Sequence, residues 1–174
     1  RSRIVIIGDD FVWLHLGKTG GKTMRKVFNS VKDRVSQRIT KFPDHHFNIC
    51  QYEEKYNSLK GKKVIINIRP LEDWIFSYAM QMRDKITDLD IDLAKKGLIQ
   101  NKKGYVHKPD DQLSKYILNK EGEILDDLFI IRTYNIYEDF LRIFPNANLK
   151  TLKKSSGQKV GQKNIKNTAY QSKK

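Results

Sequence analysis

A disulfide within the chain is the first thing this sequence excludes. It has one cysteine, Cys50, in 174 residues, so nothing demands an oxidising compartment. The expectation for that thiol is a small buried hydrophobe. Long apolar runs are also missing. No stretch approaches the roughly 18 apolar residues that a membrane-spanning helix needs. No secretory leader is visible, although the chain opens on Arg1 and not on Met, which leaves open what precedes it. A cytoplasmic protein is the expectation. Internal repeats and long low-complexity linkers are absent as well.

Acid is in short supply. Twenty Asp and Glu face 34 Lys and Arg, for a net charge of +14. A chain this basic attracts anions: nucleic acid, membrane surfaces, nucleotides or acidic polymers. Much of the excess is local. From Lys150 to Lys174 there are eight lysines and no acid. That Lys-rich end reads either as a solvated terminus or as a segment that closes over a bound anion.

What is present suggests one globular domain over residues 1–174, with 39% hydrophobic and 31% charged residues. Ile4–Ile7 and Phe11–Leu16 read as short strands around a Gly8-Asp9-Asp10 turn. A glycine-rich loop follows. Met24, Val27, Phe28, Val31 and Val35 then recur at helical spacing. Lys63–Arg69 has the continuous apolar run of a strand buried on both faces. Pro70 stops it and opens a helix with Leu71, Trp74, Ile75, Tyr78 and Met82 as its core stripe. Thr87–Asp110 gives no clear pattern. Gln112–Leu118 is a plausible helix, Asp127–Ile131 a third buried strand and Asn135–Phe144 an amphipathic helix. Strands alternating with helices argue for an α/β fold in three layers, with a mainly parallel central sheet.

The loop carries the first chemistry. Gly17-Lys18-Thr19-Gly20-Gly21-Lys22-Thr23 lies between a strand and a helix, where glycines let the backbone approach an anion. Lys18 and Lys22 add two full charges. The NTPase pattern G-x-x-x-x-G-K-[ST] fits Gly21-Lys22-Thr23 but needs glycine at position 16, which is Leu16. An NTPase also needs a carboxylate at a strand end to hold magnesium, and the runs ending at Ile68 and Ile131 are followed by Arg69 and Arg132. A P-loop kinase or NTPase therefore fits poorly. A basic anion- or nucleic-acid-binding module without catalysis is the other alternative, and no recognisable nucleic-acid motif supports it.

His15-Leu16-Gly17-Lys18-Thr19-Gly20-Gly21-Lys22-Thr23-Met24 resembles the H-I-P-K-T-G-G-T-S-L segment of carbohydrate-type sulfotransferases, with Gly17 in place of Pro and Lys22 in place of Thr or Ser. A second stretch, Arg69-Pro70-Leu71-Glu72-Asp73-Trp74-Ile75-Phe76-Ser77, resembles the family's R-x-P-x-x-R-x-x-S-x-Y element. Arg69 and Ser77 keep its eight-residue separation, Pro70 comes one place early, and Trp74 stands where Arg is frequent. Ile130–Phe140 is similar to a late strand and helix of the family. The likeness covers about residues 4–150, with strong motifs in the first two stretches only.

The resemblance implies a P-loop-like sulfotransferase fold and a donor cosubstrate, 3'-phosphoadenosine 5'-phosphosulfate, leaving as 3'-phosphoadenosine 5'-phosphate. It implies that Lys18, Thr19, Gly20, Gly21, Lys22 and Thr23 cradle the 5'-phosphosulfate and that Arg69 and Ser77 hold the 3'-phosphate. A planar guanidinium fork and a hydroxyl are suited to that group. Lys18 is also the candidate for stabilising charge on the leaving group. The base should titrate near neutrality, which favours histidine. His46, then His45, lie in the interval where the family often places one, and Glu53 or Glu54 are alternatives. Lys159 or Lys163, together with Gly157 and Gly161, resemble a terminal donor-binding loop. No metal is expected. The acceptor would be a hydroxyl or amine on a glycan or small molecule, and the basic surface favours an acidic saccharide.

Overall fold

The computed structural model describes residues 5–39, 47–56, 58–82, 87–100, 104–108 and 110–149. Its centre is a five-stranded sheet whose strands lie side by side in the order Val35–Ile39, Val5–Gly8, Phe11–Leu14, Lys63–Ile68 and Leu128–Arg132. The first two strands, β1 (Val5–Gly8) and β2 (Phe11–Leu14), form an antiparallel hairpin, with Ile6 opposite Trp13. A two-residue link permits only that arrangement, since parallel neighbours need a long crossover. A Cβ on Gly8 would run into the Phe11 ring and the Arg34 carbonyl, which explains the glycine at the turn.

The loop after β2 leads into α1 (Gly21–Val27), which tightens into a 3-10 segment, Phe28–Arg34. The helical stripe expected through Val35 ends here. Ser30 donates its hydroxyl proton to the Val27 carbonyl at 2.6 Å, a local bond that competes with the helix ladder. Val31 leaves helical geometry at φ −129°, ψ 33°. Val35 instead opens β3 (Val35–Ile39), which pairs antiparallel with β1 on its other side. The sheet is therefore mixed, not mainly parallel in its pairing: β1 runs against both neighbours, whereas β2 and the strands Lys63–Ile68 and Leu128–Arg132 pair in parallel.

After β3 come α2 (Ile49–Lys55), β4 (Lys63–Ile68) and α3 (Leu71–Met82). A capping box closes the start of α2, with Gln51 N–H donating to the Asn48 side chain at 3.0 Å. The stretch that showed no clear pattern holds α4 (Asp88–Lys95) and a small ribbon of β5 (Ile99–Gln100) and β6 (Val106–His107). The chain then runs through α5 (Asp110–Ile117), β7 (Leu128–Arg132) and α6 (Ile136–Ile143).

Alternation along the strands separates two cores. Ile6, Phe11, Trp13, Ile65 and Ile131 face α1 and α6 and meet Met24, Val27, Phe28, Phe140 and Phe144. The Phe11 ring stacks on Phe28 at 5.6 Å and meets Phe144 edge-on at 5.0 Å. Val5, Ile7, Val12, Leu14, Val64 and Ile66 face the other way, onto Ile49 and Tyr52 of α2, Trp74 of α3 and Tyr116 of α5. Helices thus cover both faces, as the three-layer reading expects. Two details differ from it. Leu71 is 49% exposed rather than core, and Cys50 is half-buried on α2. Among the described residues, no helix is long and apolar enough to cross a membrane.

Candidate functional site

β2 and β4 are parallel neighbours, with Leu14 level with Ile66, so the loops that follow them emerge at the same edge of the sheet. The loop after β2 delivers α1 to the core that contains Met24 and Val27; the segment after β4 delivers α3 to the core that contains Trp74. Adjacent strands whose connections part to opposite faces leave a crevice beyond their carboxyl ends, the usual ligand position in open α/β sheets.

The glycine loop forms one wall. His15 is buried and stacked on Trp13, ring centroids 5.3 Å apart. A Cβ on Gly21 would collide with the His15 imidazole, so glycine is what lets α1 start over that ring. Gly20 caps α1 at φ 89°, in the left-handed region that favours glycine, and brings no side chain to the first-turn N–H groups. Its carbonyl accepts from Thr23 and Met24 N–H, both at 3.0 Å. Lys18 is left-handed too, at φ 67°, an uncommon state for a residue with a Cβ. Thr19 is fully buried and donates its hydroxyl proton to the Leu16 carbonyl at 2.6 Å. Its side chain therefore closes the loop, and what Thr19 can offer an anion is backbone. Lys22 is exposed at the start of α1, and Thr23 is half-buried.

Arg69 and Ser77 belong to the segment that follows β4. Arg69 follows β4 directly and is half-exposed, with no carboxylate partner among the described residues. Ser77 is half-buried on α3, three residues beyond Trp74 and hence on the same helix face. The Trp74 indole N–H donates to the Gly17 carbonyl at 2.7 Å, which ties the two motif segments directly together. Sequence reasoning placed Trp74 in the core stripe and at a motif position where Arg is frequent, but not against the glycine loop. The signal for its second role is that a buried indole needs an acceptor.

Arg132, at the end of β7, is handled differently from Arg69. It forks onto Asp139, with Nη2 to Oδ1 at 2.7 Å and Nε to Oδ2 at 2.9 Å, and its backbone N–H reaches the same carboxylate at 2.8 Å. Those bonds hold Asp139 below the ordinary carboxylate range despite its burial, and the same bond raises Arg132. The turn after β7 also braces the loop: a Cβ on Gly20 would lie 3.2 Å from Ile136 Cδ1 and 3.5 Å from Thr133 Cγ2. Under the crevice, Asn67 is fully buried on β4 and accepts the Trp13 indole N–H at 2.7 Å.

Of the residues considered as base, Glu53 accepts the Leu59 N–H at 3.0 Å, in the turn before β4 and so at the far edge of the sheet. Glu54 lies 3.9 Å from Lys120. His45, His46, Lys159 and Lys163 lie outside the described residues. The structure thus brings the glycine loop, with Lys18 and Lys22, and Arg69 to one edge of the sheet, with Ser77 about two turns into α3. Comparison with known proteins gives no matching family model, no matching curated protein and no matching solved structure.

Proposed function

We propose that this chain is a sulfotransferase on a P-loop-like scaffold, moving the sulfuryl group of 3'-phosphoadenosine 5'-phosphosulfate to a hydroxyl or amine. The observation that carries the reading is the Trp74–Gly17 hydrogen bond at 2.7 Å, which joins the glycine loop to the helix of the Arg69–Ser77 element across the switch point of the sheet. Two resembling motifs far apart in sequence are thereby joined beside one crevice. The residues fit the donor's two anionic ends. Gly20 leaves the first-turn N–H groups of α1 without a side-chain cap, and Arg69 is a planar donor with no carboxylate partner among the described residues.

In the proposed reaction the acceptor oxygen or nitrogen attacks sulfur in line. The bond from sulfur to the bridging phosphate oxygen breaks as the new bond forms. The acceptor's proton passes to a base, with His46 the first candidate and His45 the second. Negative charge grows on the departing phosphate oxygen, where Lys18 and the loop N–H groups stabilise it. Lys159 is the candidate for closing the donor site from the C-terminal segment.

The test is calorimetric titration with 3'-phosphoadenosine 5'-phosphate, 5'-AMP and ATP with magnesium. The bisphosphate should bind best, and Arg69→Ala should weaken it by roughly 10- to 100-fold, the scale of a lost charge-assisted pair. Unchanged bisphosphate binding in that variant would remove Arg69 from the site. Equal, weak and steeply salt-dependent binding of all three nucleotides would replace the enzyme with a basic anion-binding module.

A further inference from the structure

Beneath the glycine loop lies a buried amide. Asn67 is fully buried and is the last residue but one of β4. Leu14 is level with Ile66, so one step on Asn67 is level with His15. Side chains alternate along a strand, and Asn67 therefore shares the face of Ile65 and Trp13, the face that α1 covers. Gly21 starts α1 directly over His15, so Asn67 lies beside the ring on which that helix rests.

Only one end of that amide is used. Asn67 Oδ1 accepts the Trp13 indole N–H at 2.7 Å. An indole nitrogen only donates, so this bond fixes which end of the amide is oxygen. Trp13 is level with Ile65, nearer the start of β4 than Asn67. The planar amide turns Nδ2 away from Trp13, toward the carboxyl ends of the strands where the loop lies. Nδ2 is buried and makes no hydrogen bond among the described residues. Buried donors without an acceptor are rare in folded proteins, because the bonds that water gave the unfolded chain are lost.

The loop does not supply the missing acceptor. The Leu16 carbonyl takes the Thr19 hydroxyl, the Gly17 carbonyl takes the Trp74 indole, and the Gly20 carbonyl takes the Thr23 and Met24 N–H groups. Bulk water does not reach the nitrogen either, because it is buried. The loop itself is under strain. Lys18, between Gly17 and Gly20, is held at φ 67°, a costly state for a residue with a Cβ and one that collects at ligand clamps. A ligand moves such a loop by binding the moved form better, and an oxygen that meets Nδ2 provides that preference.

We propose that Asn67 is a binding residue of the crevice: as the glycine loop takes up an oxyanion it yields over the sheet, and one anion oxygen accepts the Asn67 Nδ2–H bond. The inference rests on the crevice holding a phosphate or sulfate group, and it names a contact that neither motif contains. The anion is then gripped from the sheet side as well as from the loop backbone. Any oxyanion that enters the loop tests this, whether or not it is a sulfuryl donor.

The test is an NMR and calorimetric titration of the full chain with inorganic pyrophosphate, 3'-phosphoadenosine 5'-phosphate and ATP with magnesium. The Asn67 side-chain N–H signals should move downfield with pyrophosphate and with the bisphosphate. Signals that stay in place while those of Gly20 and Gly21 move overturn the proposal. Trp13→Phe/Asn67→Leu removes donor and acceptor together, so it leaves no polar atom stranded and keeps the fold testable. It should bind pyrophosphate about ten-fold more weakly than Trp13→Phe alone, the scale of one charge-assisted bond. Equal affinity in those two variants makes Asn67 a packing residue and overturns the proposal. If that equality comes with a clear preference for the bisphosphate, the donor reading stands without Asn67. If pyrophosphate binding depends on Asn67 but the bisphosphate is not preferred to ATP, the donor reading falls and Asn67 keeps its role. A chain that binds none of the three overturns both.

Discussion

At the edge of the sheet where β2 and β4 begin, Asp10 is shared by Arg34 at 2.7 Å and Lys63 at 3.0 Å. At the edge where they end, Lys22 and Arg69 have no carboxylate partner among the described residues, and Glu72 and Asp73 stand exposed on the first turn of α3. At the first edge one carboxylate neutralises two cations and ties three strand starts together. The other holds cations around a glycine loop. The difference teaches where to look in a chain whose net charge of +14 is otherwise uninformative: a cation already paired is structure, and a cation held without an acid is a place for an anion. Arg132 shows the boundary, because it shares the second edge with Arg69 yet is occupied by Asp139.

The comparison is broken most severely by Asp139→Ala. It strips three hydrogen bonds from Arg132. The Arg132 side chain is one-third exposed, so the cost falls below the roughly 3–5 kcal/mol of a fully buried pair. About 2 kcal/mol is expected in a urea melt. Next is Gly21→Ala, which pushes a methyl into His15. It should cost about 1–3 kcal/mol as overpacking and weaken nucleotide binding together with stability. A loop variant that loses stability alone would separate the loop from the site.

Trp74→Phe sharpens the contrast. It keeps the ring and deletes the bond to Gly17. A stability loss of about 1 kcal/mol should come with a several-fold weaker affinity for 3'-phosphoadenosine 5'-phosphate, read by melting and calorimetry on the same protein. The smallest effect belongs to Asp10→Asn. The Asp10 side chain is 43% exposed, so its pairs should contribute less than about 1 kcal/mol, with no change in nucleotide affinity. An affinity change there would join two edges that the contacts separate.

Acid adds a further measurement. Burial raises the Asp10 carboxyl, but the bonds from Lys63 and Arg34 outweigh it and hold the group below its ordinary 3.8. Arg132 does the same for Asp139. A carboxylate lowered by folding contributes stability that is complete above the unfolded value. That contribution is lost as pH falls through and below about 3.8, because the unfolded chain then binds the extra protons. Melting temperature should drop in that window, and Asp139→Asn should flatten the drop.

The strands facing two cores were legible in sequence because β4 and the hairpin carry near-continuous apolar runs. β3 was not legible: Ser36, Gln37 and Arg38 are exposed on an edge strand, and only Ile39 is buried, so no alternation marked it. The same gap made the sheet look mainly parallel. Helix α4 was hidden by its shortness and its three aspartates, which read as loop until the capping box at Thr87 and the turn at Gly97 close it. Both motif segments were legible by spacing. Their meeting was not, since Trp74 and Gly17 are 57 positions apart.

By itself the sequence determined the local choices: glycine where a left-handed turn and a close imidazole demand it, apolar runs for buried strands, proline before a helix, and an excess of cations. These follow from backbone sterics and solvent transfer, which act over a few residues. Tertiary structure alone decided which cations are spent on Asp10 and Asp139, which remain around the crevice, and that Trp13 and Asn67 meet beneath the glycine loop. Charge pairing falls off steeply with distance through the folded molecule, and that distance is set by packing, not by position in the chain.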